Sequence, residues 1–344
     1  MSQTNNIQNK LKFLFTDWSG FIPETIQELP QSGSNRKYFR LKEKNISAIG
    51  VYNFNYNENV AFINFTKQFL QSRINVPEIY SEDLVENIYL IQDLGDTQLL
   101  SWLSSNRTGN SFPVNAIEIY KNVIQELVRI QIVAGRNFNY SKCFQHAVFD
   151  EEAIQFDLNY FRTNYVNALK LKYNENKLQT DFNIFSKYLL KADNNYFMFR
   201  DFQSRNIMMV NQAPFFIDYQ GGRKGALQYD LVSLLFQAKA QIPEDVKLIL
   251  LEHYLKTSSL FIPINKDDFI EFYYAFALIR VLQTLGAYGL RGLIENKSHF
   301  IESIPMAISN LVYLKDNVKI LNQLGELKQI IDQIIQTEIK TNGY

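Results

Sequence analysis

Residues 196–218 read as a short cluster of strands set inside a long run of helical periodicity, and that interruption limits what the chain can fold into. The stretch FMFRDFQSRNIMMVNQAPFFIDYQGG gives strand 196–199, loop 200–206, strand 207–210, a turn at Asn211-Gln212, and strand 215–217. The loop holds Asp201 and Asn206 five positions apart, and Asp218 follows the last strand. This oxygen-rich set suits magnesium, which takes one or two carboxylates and keeps waters or phosphate oxygens. It also suits phosphoryl transfer, in which one carboxylate orients a hydroxyl while an Asn and an Asp hold the metal.

The flanking sequence divides by period. An amphipathic helix at 7–18 precedes β-prone runs at 25–29, 37–41 and 47–52, a helix at 58–69, and strands at 79–81 and 88–92. Asp93-Leu94-Gly95-Asp96 breaks the pattern. Beyond it, helical segments are predicted at 115–134, 150–169, 180–192, 244–257, 267–285, 305–318 and 323–338. The expectation is an α+β chain with a β-rich part over 1–95 and a mainly helical part over 96–344.

Composition narrows the partners. Lys plus Arg and Asp plus Glu number 35 each, so no net field draws the chain to nucleic acid or anionic lipid. With 46% hydrophobic residues, 27 Phe and 20 Tyr, a large packed core is expected rather than disorder. The single Cys143 permits no internal disulfide and is expected to be a buried small hydrophobe. His146, His253 and His299 have no partner at catalytic spacing and read as structural or surface groups. The apolar stretch 272–290 carries Arg280 and Gln283 near its middle, so it reads as a buried helix and not a membrane span. The polar start MSQTNNIQNK has no signal-peptide core, and a cytoplasmic location is expected.

The Asp201–Asn206 spacing followed by Ile217-Asp218-Tyr219 resembles the catalytic and metal-binding loops of the aminoglycoside phosphotransferase-like kinases. GGRKGALQYDLVSLL (221–235) and LGAYGLRGL (285–293) resemble a bacterial subset that includes the N-acetylmuramate/N-acetylglucosamine kinases of cell-wall recycling. The resemblance runs from about Leu29 to Leu314 and implies a bilobal protein-kinase-like fold that uses ATP and Mg2+. It implies that Asp201 is the catalytic carboxylate, that Asn206 and Asp218 bind metal, and that Asp230 braces the loop, although an N-cap role would also explain Asp230. Arg205, between them, is placed to neutralise transferring phosphate or brace Asp201. Gly33, Ser34, Asn35 and Arg36 look like the loop that covers the nucleotide.

Two departures stand out. Phe199 occupies the place of a family His, and the third strand, SAIGVYN, lacks the Lys that pairs with phosphate and a helix Glu. Glu58 therefore has no evident strand partner, and Arg36 heads the substitutes, ahead of Lys37, Arg40 and Lys42. A catalytically inactive, kinase-shaped binding module is the alternative these departures leave open. Tyr160, Phe161, Asn164 and Tyr165 suit sugar faces and hydroxyls, so a neutral sugar acceptor fits better than a polyamine such as an aminoglycoside.

Overall fold

The computed structural model describes residues 3–30, 36–109 and 111–342. The chain separates into two compact units. The first comprises Met1–Leu99, Asn137–Ala147 and Arg205–Gly222; the second comprises Leu100–Arg136, Val148–Ser204 and Arg223–Tyr344.

The first unit opens with helix α1 (Gln3–Ser19), then strands β1 (Thr25–Glu28), β2 (Lys37–Glu43) and β3 (Ile46–Tyr52), helix α2 (Tyr56–Gln71), and strands β4 (Ile79–Asp83) and β5 (Ile88–Gln92). The strands form one antiparallel sheet in the order β1-β2-β3-β5-β4, with Arg40 opposite Ile49 and Gly50 opposite Leu90. Ile7, Leu11, Leu14 and Phe15 recur at helical spacing and pack on Phe39, Leu41, Ala48, Ile88 and Leu90. Each fully buried Leu or Phe here contributes about 1.5–3 kcal/mol. Strand alternation then turns Arg40 to the other face. Helix α2 begins two residues earlier than its apolar pattern suggests, because the Asn55 side chain caps it by accepting the Glu58 N–H at 3.2 Å.

The second unit is mainly helical. It contains α3 (Leu99–Ser105), α4 (Val114–Val128), α5 (Glu151–Phe161), α6 (Glu175–Leu189), α7 (Leu227–Leu235), α8 (Glu244–Ser258) and α9 (Lys266–Tyr288), and three further helices follow within Ser298–Asn342. Helix α9 packs against α5 and α7, which explains why its sequence is apolar around most of its circumference. No helix among the described residues is long and apolar enough to cross a membrane. The long segments predicted at 115–134 and 150–169 do not stay α-helical: each passes into a π-helical turn, at Arg129–Val133 and Arg162–Val166. The glycines of LGAYGLRGL have a packing cause. A Cβ on Gly289 would stand 2.0 Å from the Asn164 carbonyl oxygen, so the end of α9 approaches Arg162–Val166 more closely than any side chain permits.

Three sequence expectations need correcting. Cys143 is half-buried, because it lies in an irregular segment where its thiol donates to the Gly222 carbonyl at 3.2 Å. Asp230 does not cap a helix: α7 begins at Leu227, and Asp230 lies inside its first turn. Phe161, at the end of α5, and Tyr165, in the π-helical turn that follows, are buried and offer no face to a sugar.

Candidate active site

In the first unit, the hairpin Ile207–Val210 with Ala213–Phe216 sets two of the expected residues side by side. Its two-residue loop, Asn211-Gln212, has positive φ at both positions (49° and 67°), which matches the twist of paired strands. Ile207 pairs with Phe216, and the Ile217 N–H donates to the Asn206 carbonyl at 3.0 Å. Register therefore brings Asn206 and Asp218 together at the hairpin mouth, where the Asn206 amide donates to Asp218 Oδ2 at 3.3 Å. Gln220 donates to Asp218 Oδ1 at 2.8 Å. Asp218 itself sits at φ +70°, a strained conformation of the kind that collects at functional sites. Tyr219 fixes the segment after it by stacking on Phe62 of α2, ring centroids 5.1 Å apart, and by bonding to Thr66.

The same unit holds a cation beside Glu58. Arg36, immediately before β2, is buried, and its guanidinium lies 3.0 Å from the Glu58 carboxylate of α2. Glu58 also accepts from Asn53 at 2.8 Å. Burial alone would lower the Arg36 pKa, but Tyr89, Tyr38 and Glu58 outweigh it and raise the value. The Tyr38 hydroxyl is pushed up by burial, opposed by Arg36 and reinforced by Asp218, so the cation, the helix acid and Asp218 share one electrostatic neighbourhood. Glu58 thus has a partner, supplied from the loop side of β2 rather than from β3. Arg40 is engaged elsewhere: it pairs with Asp93 at 2.8 Å and Asp96 at 2.8 Å. Lys37 donates to Thr4 at 3.2 Å, and Lys42 is exposed. Gly33, Ser34 and Asn35 lie outside the described residues.

In the second unit, strand Tyr196–Met198 pairs with Arg223–Gly225 and delivers the chain to Asp201. Asp230, fully buried, accepts the backbone N–H of Phe199 at 2.7 Å and of Arg200 at 2.9 Å, and the Gln131 amide at 3.1 Å. Burial outweighs these donors and pushes its carboxyl up to about 7. Arg200 is held at φ +82°, with its guanidinium 2.6 Å from Asp157 and 2.6 Å from the Tyr229 hydroxyl. The Phe199 ring packs edge-on against Phe202 at 5.2 Å, so an aromatic contact fills the position where a His was expected. Ser204 is tied down by Gln237, which accepts its N–H at 2.9 Å, and by the Tyr120 hydroxyl at 2.8 Å. The loop is clamped along its length, which favours preorganisation of Asp201.

Asp201 is 45% exposed at its side chain. Its Oδ1 accepts from Arg280 Nη2 at 3.1 Å and from Gln203 at 3.3 Å. Arg205 is exposed on the turn Ser204–Asn206. The sequence reading missed Arg280 as a site residue, although a cation in the middle of an apolar helix needs a partner; it also missed the Arg200–Asp157 pair, whose members are 43 positions apart.

The donor set of the first unit fits a hard cation. Among the described residues no three His, Cys, Asp or Glu side chains gather to enclose a metal. Asn206 and Asp218 supply one amide and one carboxylate, which is the partial set that magnesium completes with water and phosphate oxygens. A separate concavity of about 460 Å³ in the second unit is lined by Arg107, Lys239, Gln241 and His299, among others, and by none of these site residues.

Residues 25–260 match the model of the phosphotransferase enzyme family. The chain is 24% identical to an N-acetylmuramate/N-acetylglucosamine kinase of Neisseria meningitidis, over 80% of each chain. It is 21% identical to the kinase of the same name from Pseudomonas aeruginosa, over 94% of this chain and 93% of that one. Among solved structures, a choline kinase from Streptococcus pneumoniae superposes with a TM-score of 0.58 at 12% identity, covering 90% of this chain and 99% of the other. The strand-rich first unit and helical second unit are those of a protein-kinase-like fold, and the chain belongs to the phosphotransferase enzyme family.

Proposed function

We propose that this chain is an active ATP-dependent kinase that phosphorylates the anomeric hydroxyl of an N-acetylated amino sugar. The observation that carries the catalytic reading is the Arg36–Glu58 ion pair, which restores the cation–helix-acid pair missing from β3. A binding module that never handles phosphate has no use for a buried Arg held against a helix carboxylate. The sugar reading is supported by the two kinases named for N-acetylmuramate and N-acetylglucosamine.

In this reading, Asp201 orients the acceptor hydroxyl and takes its proton as the sugar oxygen attacks the γ-phosphorus. The new bond joins the anomeric oxygen to phosphorus; the bond from phosphorus to the β,γ-bridging oxygen breaks, and ADP departs with that electron pair. The anomeric hydroxyl is more acidic than an ordinary alcohol, so one carboxylate is an adequate base. Arg36 grips nucleotide phosphate, and the backbone of Gly33, Ser34 and Asn35 covers it. Asn206 and Asp218 hold magnesium, which when bound neutralises charge on the phosphates. Arg205 neutralises the transferring group or braces Asp201. Such catalysis is mainly positioning and charge stabilisation. In this reading the enzyme works in the cytoplasm, where ATP is available.

The test is purified protein with magnesium and ATP against N-acetylglucosamine, N-acetylmuramate, aminoglycosides, choline and homoserine, read by mass spectrometry. A sugar monophosphate is expected. Phosphorylation of an aminoglycoside alone overturns the acceptor assignment, and no product with no ATP turnover overturns the enzyme assignment.

A further inference from the structure

Arg280 is an expensive residue to bury. It lies in the middle of α9 with its side chain 9% exposed, and each guanidinium nitrogen has a partner: Nε donates to Ser233 Oγ at 3.0 Å, Nη1 to Gln283, and Nη2 to Asp201 Oδ1 at 3.1 Å. A Met or Leu would fill the same space without the desolvation penalty of a charge. What those residues would not supply is a fixed cation against the carboxylate of the reaction. Other charged groups near Asp201 are already balanced or held back: Arg200 of its own loop is paired with Asp157 of α5, and Asp230 of α7 is buried beneath the backbone. Arg280 is the cation whose guanidinium bonds the Asp201 carboxylate directly.

We propose that Arg280 is the positioning and selectivity residue of this centre: it fixes the Asp201 carboxylate and, by neutralising its charge, turns the acceptor position away from cations and toward neutral or anionic sugars. A bare carboxylate would attract an ammonium group; one paired with a guanidinium does not. A cation bonded to a carboxylate favours its ionised form, which is the form able to accept the proton of an acidic anomeric hydroxyl. This inference rests on the sugar-kinase reading above and assigns the residue that enforces it.

Glucosamine and N-acetylglucosamine separate the charge effect, because both carry the anomeric hydroxyl and only the first carries an ammonium group. The ratio of their kcat/KM values is measured for wild type, R280Q and R280K, together with KM for ATP. R280Q is expected to narrow the discrimination against glucosamine about tenfold and to lower kcat, with KM for ATP unchanged; R280K retains most of the discrimination. In parallel, protein labelled with 13C at Asp carboxyls is titrated by NMR, with the Asp201 resonance assigned by its loss in D201N. The Asp201 midpoint is expected to move about one pH unit or more upward in R280Q. Should R280Q fail to fold, Ser233→Ala, which loosens Arg280 but keeps its charge, is expected to shift the midpoint in the same direction by less. The carboxyl titration does not depend on turnover. A wild type that phosphorylates no sugar contradicts the proposed function, whereas an Asp201 midpoint unmoved in R280Q, or in S233A if only that variant folds, contradicts the role of Arg280. An unchanged glucosamine ratio in an active R280Q overturns the selectivity claim.

Discussion

The Arg36 guanidinium stands 3.0 Å from the Glu58 carboxylate, joining the residue that precedes β2 to the first turn of α2. Their side chains are 3% and 18% exposed, so the pair is shielded from water and from salt. An ion pair at this depth holds its geometry where a surface pair would not.

Arg36→Ala is expected to raise KM for ATP about 10- to 100-fold while leaving KM for the acceptor near its original value. That range corresponds to about 1.5–3 kcal/mol for a lost hydrogen bond to a charged group. Because the truncation also strands Glu58, the double variant R36M/E58Q separates phosphate binding from stability. Steady-state kinetics in both substrates, with urea unfolding as control, checks it. An unchanged ATP dependence in a folded variant would transfer the role to another cation.

Asp201→Asn is expected to leave the fold intact and lower kcat about 100- to 10,000-fold, the range of general-base contributions. The substitution is isosteric and the amide oxygen can still accept from Arg280, so circular dichroism should not change, while thermal unfolding should show only the modest loss of a weakened Arg280 contact. Near-normal turnover at saturating substrates would show that another group accepts the proton.

Asp218→Ala and Asn206→Ala are expected to weaken magnesium–nucleotide binding, Asp218 more so because it supplies formal charge. Calorimetric titration of ATP with and without magnesium reads this directly. Equal affinity of both variants and wild type for magnesium–ATP would remove them from the metal site.

Much of this was legible in the sequence, for physical reasons. The Asn206–Asp218 pair follows from a hairpin whose turn residues, Asn211 and Gln212, and apolar strands are all local signals. The partner of Glu58 was not legible. Its cation comes from 22 positions upstream across a strand pair, and chain periodicity says nothing about which of Arg36, Lys37, Arg40 and Lys42 turns inward. Register decides it: Arg40 meets Asp93 and Asp96, and Arg36 is left for Glu58. The roles of Phe161 and Tyr165 were misread because aromatic composition suggests sugar contact equally well on either face of a helix, and packing chose the inside face. Arg280 served only as an argument against a membrane span, although its position in an apolar helix already called for a buried acceptor.

Asp230→Asn is expected to destabilise the chain by about 1–3 kcal/mol, since an amide offers one fewer acceptor to the N–H groups of Phe199, Arg200 and Gln131. The pH dependence has a definite sign. Burial holds this carboxyl up to about 7 against an ordinary value of 3.8, so between these limits the folded chain keeps a proton that the unfolded chain releases. The contribution is complete below about pH 4 and is lost as pH rises through about 7. Wild-type stability minus variant stability should therefore fall across that interval in urea titrations. A difference that rises with pH would mean that Asp230 is ionised throughout.

The central claim is phosphorylation at the anomeric oxygen, and 31P NMR of the product tests it most directly. With magnesium, ATP and N-acetylglucosamine, a new phosphomonoester resonance split by the anomeric proton is expected, appearing with ADP in equal amount and absent when the methyl glycoside replaces the free sugar. Phosphate on another sugar oxygen, or ADP formed only with inorganic phosphate, would contradict it.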